Sequence, residues 1–68
     1  MRKEYLIIIE KSETGFSAYV PDLPGCFTVG DTIGETKLNM KEAIEFHLEG
    51  LREDNLEIPL PVSQAALL

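Results

Sequence analysis

One segment constrains the fold more than any other: the stretch from Thr32 to about Asp54 alone has the length and apolar spacing of an α-helix. Thr32 precedes Glu35 by three positions, which is capping-box spacing. The hydroxyl accepts from a first-turn N–H while the carboxylate reaches back. Asp31 and Glu35 also put negative charge at the positive end of the helix dipole. Ile33, Met40, Ala43, Ile44, His47, Leu48 and Leu51 recur at helical spacing and predict one apolar face. About 22 residues would give a rod of roughly 33 Å. Asn55 is the expected terminator, and Pro59 and Pro61 forbid an early return to helix.

A single helix can cover one face of a sheet and no more. The residues ahead of it read as three short strands. Tyr5-Leu6-Ile7-Ile8-Ile9 is rich in β-branched isoleucine and apolar on both faces, as in a strand covered on both sides. Lys11 to Gly15 is a polar connection, with Gly15 where a positive φ is expected. Phe16 to Val20 alternates, placing Phe16, Ala18 and Val20 on one face. Pro21-Asp22-Leu23-Pro24-Gly25 breaks the strand. Pro24-Gly25 suits the centre of a type II turn, because proline presets φ and glycine accepts the positive φ that follows. Cys26 to Val29 is the third strand, ended by Gly30. Residues 62–68 fit a fourth edge strand, a helical turn or a frayed end, with Leu67-Leu68 favouring docking. The expected fold class is therefore α+β: a three- to four-stranded antiparallel sheet on one helix, as a single domain over residues 1–68.

At 68 residues such a domain has a small core. Cys26 is the only cysteine, so no internal disulfide can reinforce it, and one His with one Cys does not make a zinc site. Oligomerisation is the remaining common device, and a dimer or tetramer is expected. The face the helix leaves bare is expected to carry Tyr5, Ile7, Ile9 and Tyr19 as the partner interface.

The lone thiol, the lack of a secretory apolar run after Met1-Arg2-Lys3 and the lack of any long apolar segment together point to the cytoplasm, away from membranes. Twelve acidic residues oppose six basic ones, for a net charge of −6. Direct nucleic-acid binding is not expected, because the basic residues are few and scattered. The acidity itself fits either plain solubility or a basic partner.

No catalytic site, metal site or cofactor is predicted. His47 lies on the apolar helix face and reads as a core-lining residue. Cys26 reads as a small residue entering a strand, with no base placed beside it by the sequence. Glu42, Glu45, Glu49 and Glu53 read as a solvated helix face. A ribonuclease-H-like reaction needs clustered carboxylates on the strands, and only Glu10 ends one suitably.

The run Tyr19-Val20-Pro21-Asp22-Leu23-Pro24-Gly25-Cys26, followed by Gly30-Asp31-Thr32, resembles the signature of HicB-type antitoxins. Met40 to Leu48 resembles that family's helix, and Pro59 with Pro61 its proline pair. The resemblance covers about residues 5–61. It implies a partial ribonuclease-H-like β-β-β-α-β unit without nuclease activity, and a HicA-type mRNA-cleaving toxin as the protein partner. On that reading Pro21, Asp22, Leu23, Pro24, Gly25, Gly30, Asp31, Thr32 and Glu35 form a structural motif. Two departures stand out. The sequence ends at Leu68, without the C-terminal DNA-binding domain of many relatives, so autoregulation by this polypeptide alone is not expected. Gly34, Thr36 and Lys37 replace the more usual Glu, Ala and Leu of the first helical turn. A solitary homo-oligomeric HicB-like binding domain without a toxin is the alternative.

Overall fold

The computed structural model describes residues 4–68. Strands β1 (Ile8–Ser12), β2 (Gly15–Tyr19) and β3 (Phe27–Gly30) precede helix α1 (Ile33–Glu53). The strands form one antiparallel sheet in the order β1-β2-β3, and α1 packs on one of its faces. This is the expected α+β architecture in its three-stranded form. Residues 56–68 have no regular secondary structure.

The first hairpin sits further along the chain than its apolar run suggests. Ser12 pairs with Gly15 and Ile8 with Tyr19. The turn is therefore only Glu13-Thr14, and Lys11 and Ser12 belong to the strand. Because β2 ends at Tyr19, just before Pro21, β1 has no partner beyond Ile8, and Tyr5 to Ile7 lie outside the ladder. Gly15 does not supply a positive φ; Gly25 is the glycine that does. Gly15 is needed for space, since a Cβ there would lie 2.5 Å from the Gly30 carbonyl oxygen.

The loop between β2 and β3 is two turns in series. The Leu23 N–H donates to the Val20 carbonyl and the Cys26 N–H to the Leu23 carbonyl, each at 3.1 Å. Each turn has proline at its second position, Pro21 and then Pro24, where the fixed φ costs nothing. Gly25 follows at φ 84°, as a type II turn requires. A third bond, Val20 N–H to the Cys26 carbonyl at 3.1 Å, closes the base. The double turn tucks Leu23 inward until it is 0% exposed. A segment that reads as a surface loop thus supplies the centre of the core, which Ala18, Val20, Cys26 and Met40 complete.

The helix begins as expected. The Glu35 N–H donates to Thr32 Oγ1 at 3.0 Å. The Glu35 carboxylate accepts from the Asp31 N–H at 2.9 Å, one residue earlier than in the usual box. The buried stripe starts at Thr36 rather than Ile33, which is half exposed. Thr36 is fully buried, and its hydroxyl donates to the Thr32 carbonyl at 2.7 Å. That placement leaves Lys37 exposed to solvent. The helix stops at Asp54, and Asn55 adopts the left-handed conformation at φ 57°.

After the helix the chain is clasped from two sides. The Tyr5 hydroxyl donates to the Pro59 carbonyl at 2.5 Å. The Asp22 carboxylate accepts from the Val62 N–H at 3.1 Å, the Ser63 N–H at 3.0 Å and the Ser63 hydroxyl at 2.8 Å. Docking therefore occurs at residues 59–63, whereas Leu67 and Leu68 are fully exposed. The bond from the Ser63 N–H, helped by those from its hydroxyl and from Val62, holds the Asp22 carboxyl below its ordinary pKa against partial desolvation. A carboxyl with a depressed folded pKa stabilises the folded form above its unfolded pKa. That contribution disappears as the pH falls through the folded value. The Val62 and Ser63 amide resonances are accordingly expected to hold steady at neutral pH and to shift only below the ordinary carboxylate range. Asp22→Ala should give the shifted positions at every pH. Resonances that stay put from about pH 6 to about pH 2 would exclude the clasp.

Candidate partner-binding site

Two apolar surfaces remain open on this framework. The first is the sheet face turned away from α1. Pairing puts Ile8, Tyr19 and Phe27 in one row across the three strands, and Glu10, Ser17 and Val29 in the next. Tyr19, Phe27 and Val29 are all exposed. The other face carries Ile9, Ala18 and Thr28 in register and turns toward the helix.

The four residues expected to form one interface are therefore separated. Tyr19 lies on the open face. Ile7 and Ile9 pack against the core on the helix side, and Tyr5 packs there as well while it clasps the tail. Ile8, not its neighbours, accompanies Tyr19. Side chains alternate along a strand, so a one-residue shift in register exchanges the two faces.

The second surface is a groove of about 430 Å³ between the start of β3 and the second half of α1. Cys26 and Phe27 line one side; Phe46, His47, Gly50 and Leu51 line the other. Phe27 is 70% and Phe46 71% exposed, large values for aromatic rings in a chain this small. The sequence reading passed over Phe46. Its signal was an aromatic residue off the apolar stripe, between Glu42 and Glu49 and followed by a mid-helix glycine. Upstream, the Asn39 side-chain amide donates to the Val29 carbonyl at 2.9 Å, which ties α1 to β3.

The fold brings Cys26 and His47 to the same groove, which spacing alone could not foresee. A nucleophilic thiol needs its pKa lowered. Burial instead pushes the Cys26 thiol up, the wrong direction for thiolate chemistry. Among the described residues, no three His, Cys, Asp or Glu side chains gather as metal ligands, and no helix is long and apolar enough to cross a membrane.

The nine motif residues share an architectural arrangement. Pro21, Pro24 and Gly25 make the double turn, Leu23 fills the core and Asp22 holds the tail. Asp31, Thr32 and Glu35 form the helix cap. Gly30 lies directly against Thr36, leaving no room for a Cβ.

Known proteins share this framework. A chain of a HicA3 and HicB3 toxin-antitoxin complex superposes with a TM-score of 0.71 at 37% identity, over 91% of this chain and 70% of that one. A UPF0150 protein of Thermoplasma acidophilum is 47% identical over 57 residues, which span 82% of this chain and 83% of the relative. An uncharacterised 14.9 kDa protein from the rep-hol intergenic region of Haemophilus phage HP1 is 56% identical over 55 residues. The match takes in 81% of this chain but only 41% of the phage protein. Residues 5–68 match the family described as the HicB-like antitoxin of bacterial toxin-antitoxin systems, and the chain belongs to that family.

Proposed function

We propose that this chain is a non-enzymatic cytoplasmic antitoxin that binds a HicA-type toxin protein and, without toxin, associates with copies of itself as a dimer or tetramer. One observation carries the reading: the apolar row Ile8, Tyr19 and Phe27 faces away from α1, so another macromolecule completes the fold's covering. That face is poor in charge, which suits a second copy of the chain. The likeness to a chain from a toxin-antitoxin complex supports a toxin as the other partner. The scattered basic residues and the net charge of −6 argue against direct binding to nucleic acid.

Co-expression with a HicA-type toxin is expected to restore growth, and the two proteins should elute together. Alone, the chain should scatter light as a multiple of its 7.6 kDa mass at micromolar concentration and leave RNA intact in the presence of magnesium. Separate elution overturns the toxin partner. A monomer mass across a dilution series overturns the self-association.

A further inference from the structure

We infer that a second copy of this chain adds to the sheet through the outer edge of β1, an inference that rests on the self-association proposed above. The register decides which backbone groups point outward. The Val20 N–H bonds toward β3, to the Cys26 carbonyl. Backbone groups alternate in direction along an antiparallel strand. Phe16 and Ala18 therefore also bond to β3, whereas Gly15, Ser17 and Tyr19 bond to β1. Their partners on β1 are Ser12, Glu10 and Ile8. The N–H and C=O groups of Ile9 and Lys11 thus point away from β2, and among the described residues no hydrogen bond meets them. The tail bonds to Tyr5 and Asp22, both outside β1.

The opposite edge is engaged by the helix. The same alternation turns Phe27 and Val29 outward on β3, and there the Asn39 amide from α1 donates to the Val29 carbonyl at 2.9 Å. An open edge is a template for another strand. The sequence favours one at β1: Tyr5 to Ile9 is rich in strand-forming residues, yet only Ile8 and Ile9 of that run are paired. Charge selects the occupant. β1 carries one acid, Glu10, and one base, Lys11. This edge is therefore neutral in a chain of net charge −6, and it gives a basic partner nothing to prefer. A two-fold axis at Ile9 sets Ile9 against its own copy and Ile8 against Glu10, so neither charged residue faces itself. An axis at Glu10 or Lys11 would put like charges opposite. The two three-stranded sheets then become one, with both helices on one side and both rows of Ile8, Tyr19 and Phe27 on the other.

Hydrogen exchange reads this edge directly. At concentrations where the protein scatters light as a multiple of 7.6 kDa, the Ile9 and Lys11 amides are expected to exchange at least about tenfold more slowly than after dilution to the monomer. Packing through the bare face alone would leave both amides open to water. Lys11→Pro removes an outward N–H without breaking a bond to β2, and proline is tolerated at such edge positions. It should at least halve the wild-type mass while leaving the circular dichroism of the fold unchanged. Free exchange at both amides in the assembled protein, or an unreduced mass in the folded variant, overturns the edge pairing and leaves self-association standing. If the variant does not fold, the wild-type exchange rates decide. A monomer mass at every concentration overturns self-association, and the edge assignment falls with it.

Discussion

Gly30→Val is expected to destabilise the domain by about 3 kcal/mol or more. The cause is backbone crowding at the joint between β3 and α1. A Cβ on Gly30 would lie 2.5 Å from Thr36 Oγ1, 2.8 Å from Thr36 N and 3.0 Å from Thr36 Cα. The hydroxyl cannot swing aside, because it is fully buried and bonded to the Thr32 carbonyl. The nitrogen cannot move without opening the first helical hydrogen bond, Thr36 N–H to Thr32 C=O at 2.9 Å. Either the strand separates from the helix or the cap unwinds. Native stability scales as about 0.05–0.15 kcal/mol per residue, so a chain of this length has roughly 3–10 kcal/mol in all. The loss should lower the melting temperature by about 10–25 °C. A fall under about 5 °C in a calorimetric scan would mean the joint yields more easily than its contacts imply.

Leu23→Ala should have a comparable effect for the opposite reason. Leu23 is among the largest fully buried side chains, and the double turn holds it by backbone bonds on both sides. The walls cannot collapse onto a smaller residue without undoing those turns, so most of the cavity persists. Truncations of this kind cost about 2–5 kcal/mol. Leu23→Met keeps the volume and should cost under about 1.5 kcal/mol. Urea unfolding that ranks the two variants equally would place Leu23 outside the core.

These two residues mark where the sequence was readable and where it was not. The helix bounds, the Thr32–Glu35 cap, the left-handed Asn55 and the turn at Pro24-Gly25 were all legible, because each is decided by chemistry within a few residues. The sheet register was not. Tyr5 to Ile9 is apolar throughout, so nothing in its pattern says which alternate residues face the helix. That choice is made by the Glu13-Thr14 turn and the early end of β2. Leu23 reads as loop because prolines and glycine surround it, yet two successive turns are what carry it inward. The roles of Gly15 and Gly30 as spacers, and the meeting of Cys26 and His47 at one groove, depend on contacts between elements and leave no local trace. Asp22 was legible as part of a motif, but its partner Ser63 lies 41 residues away.

That last separation bears on how the molecule assembles. Every pairing in the sheet joins neighbouring strands, and α1 follows directly on the strand it packs against. Such local wiring favours fast folding, since little chain entropy is lost before contacts form. The clasp on residues 59–63 is different: it must close a loop spanning most of the polypeptide and secures few apolar groups in return. The tail should therefore join last during folding and leave first when the native state opens, as a separate unit of low local stability.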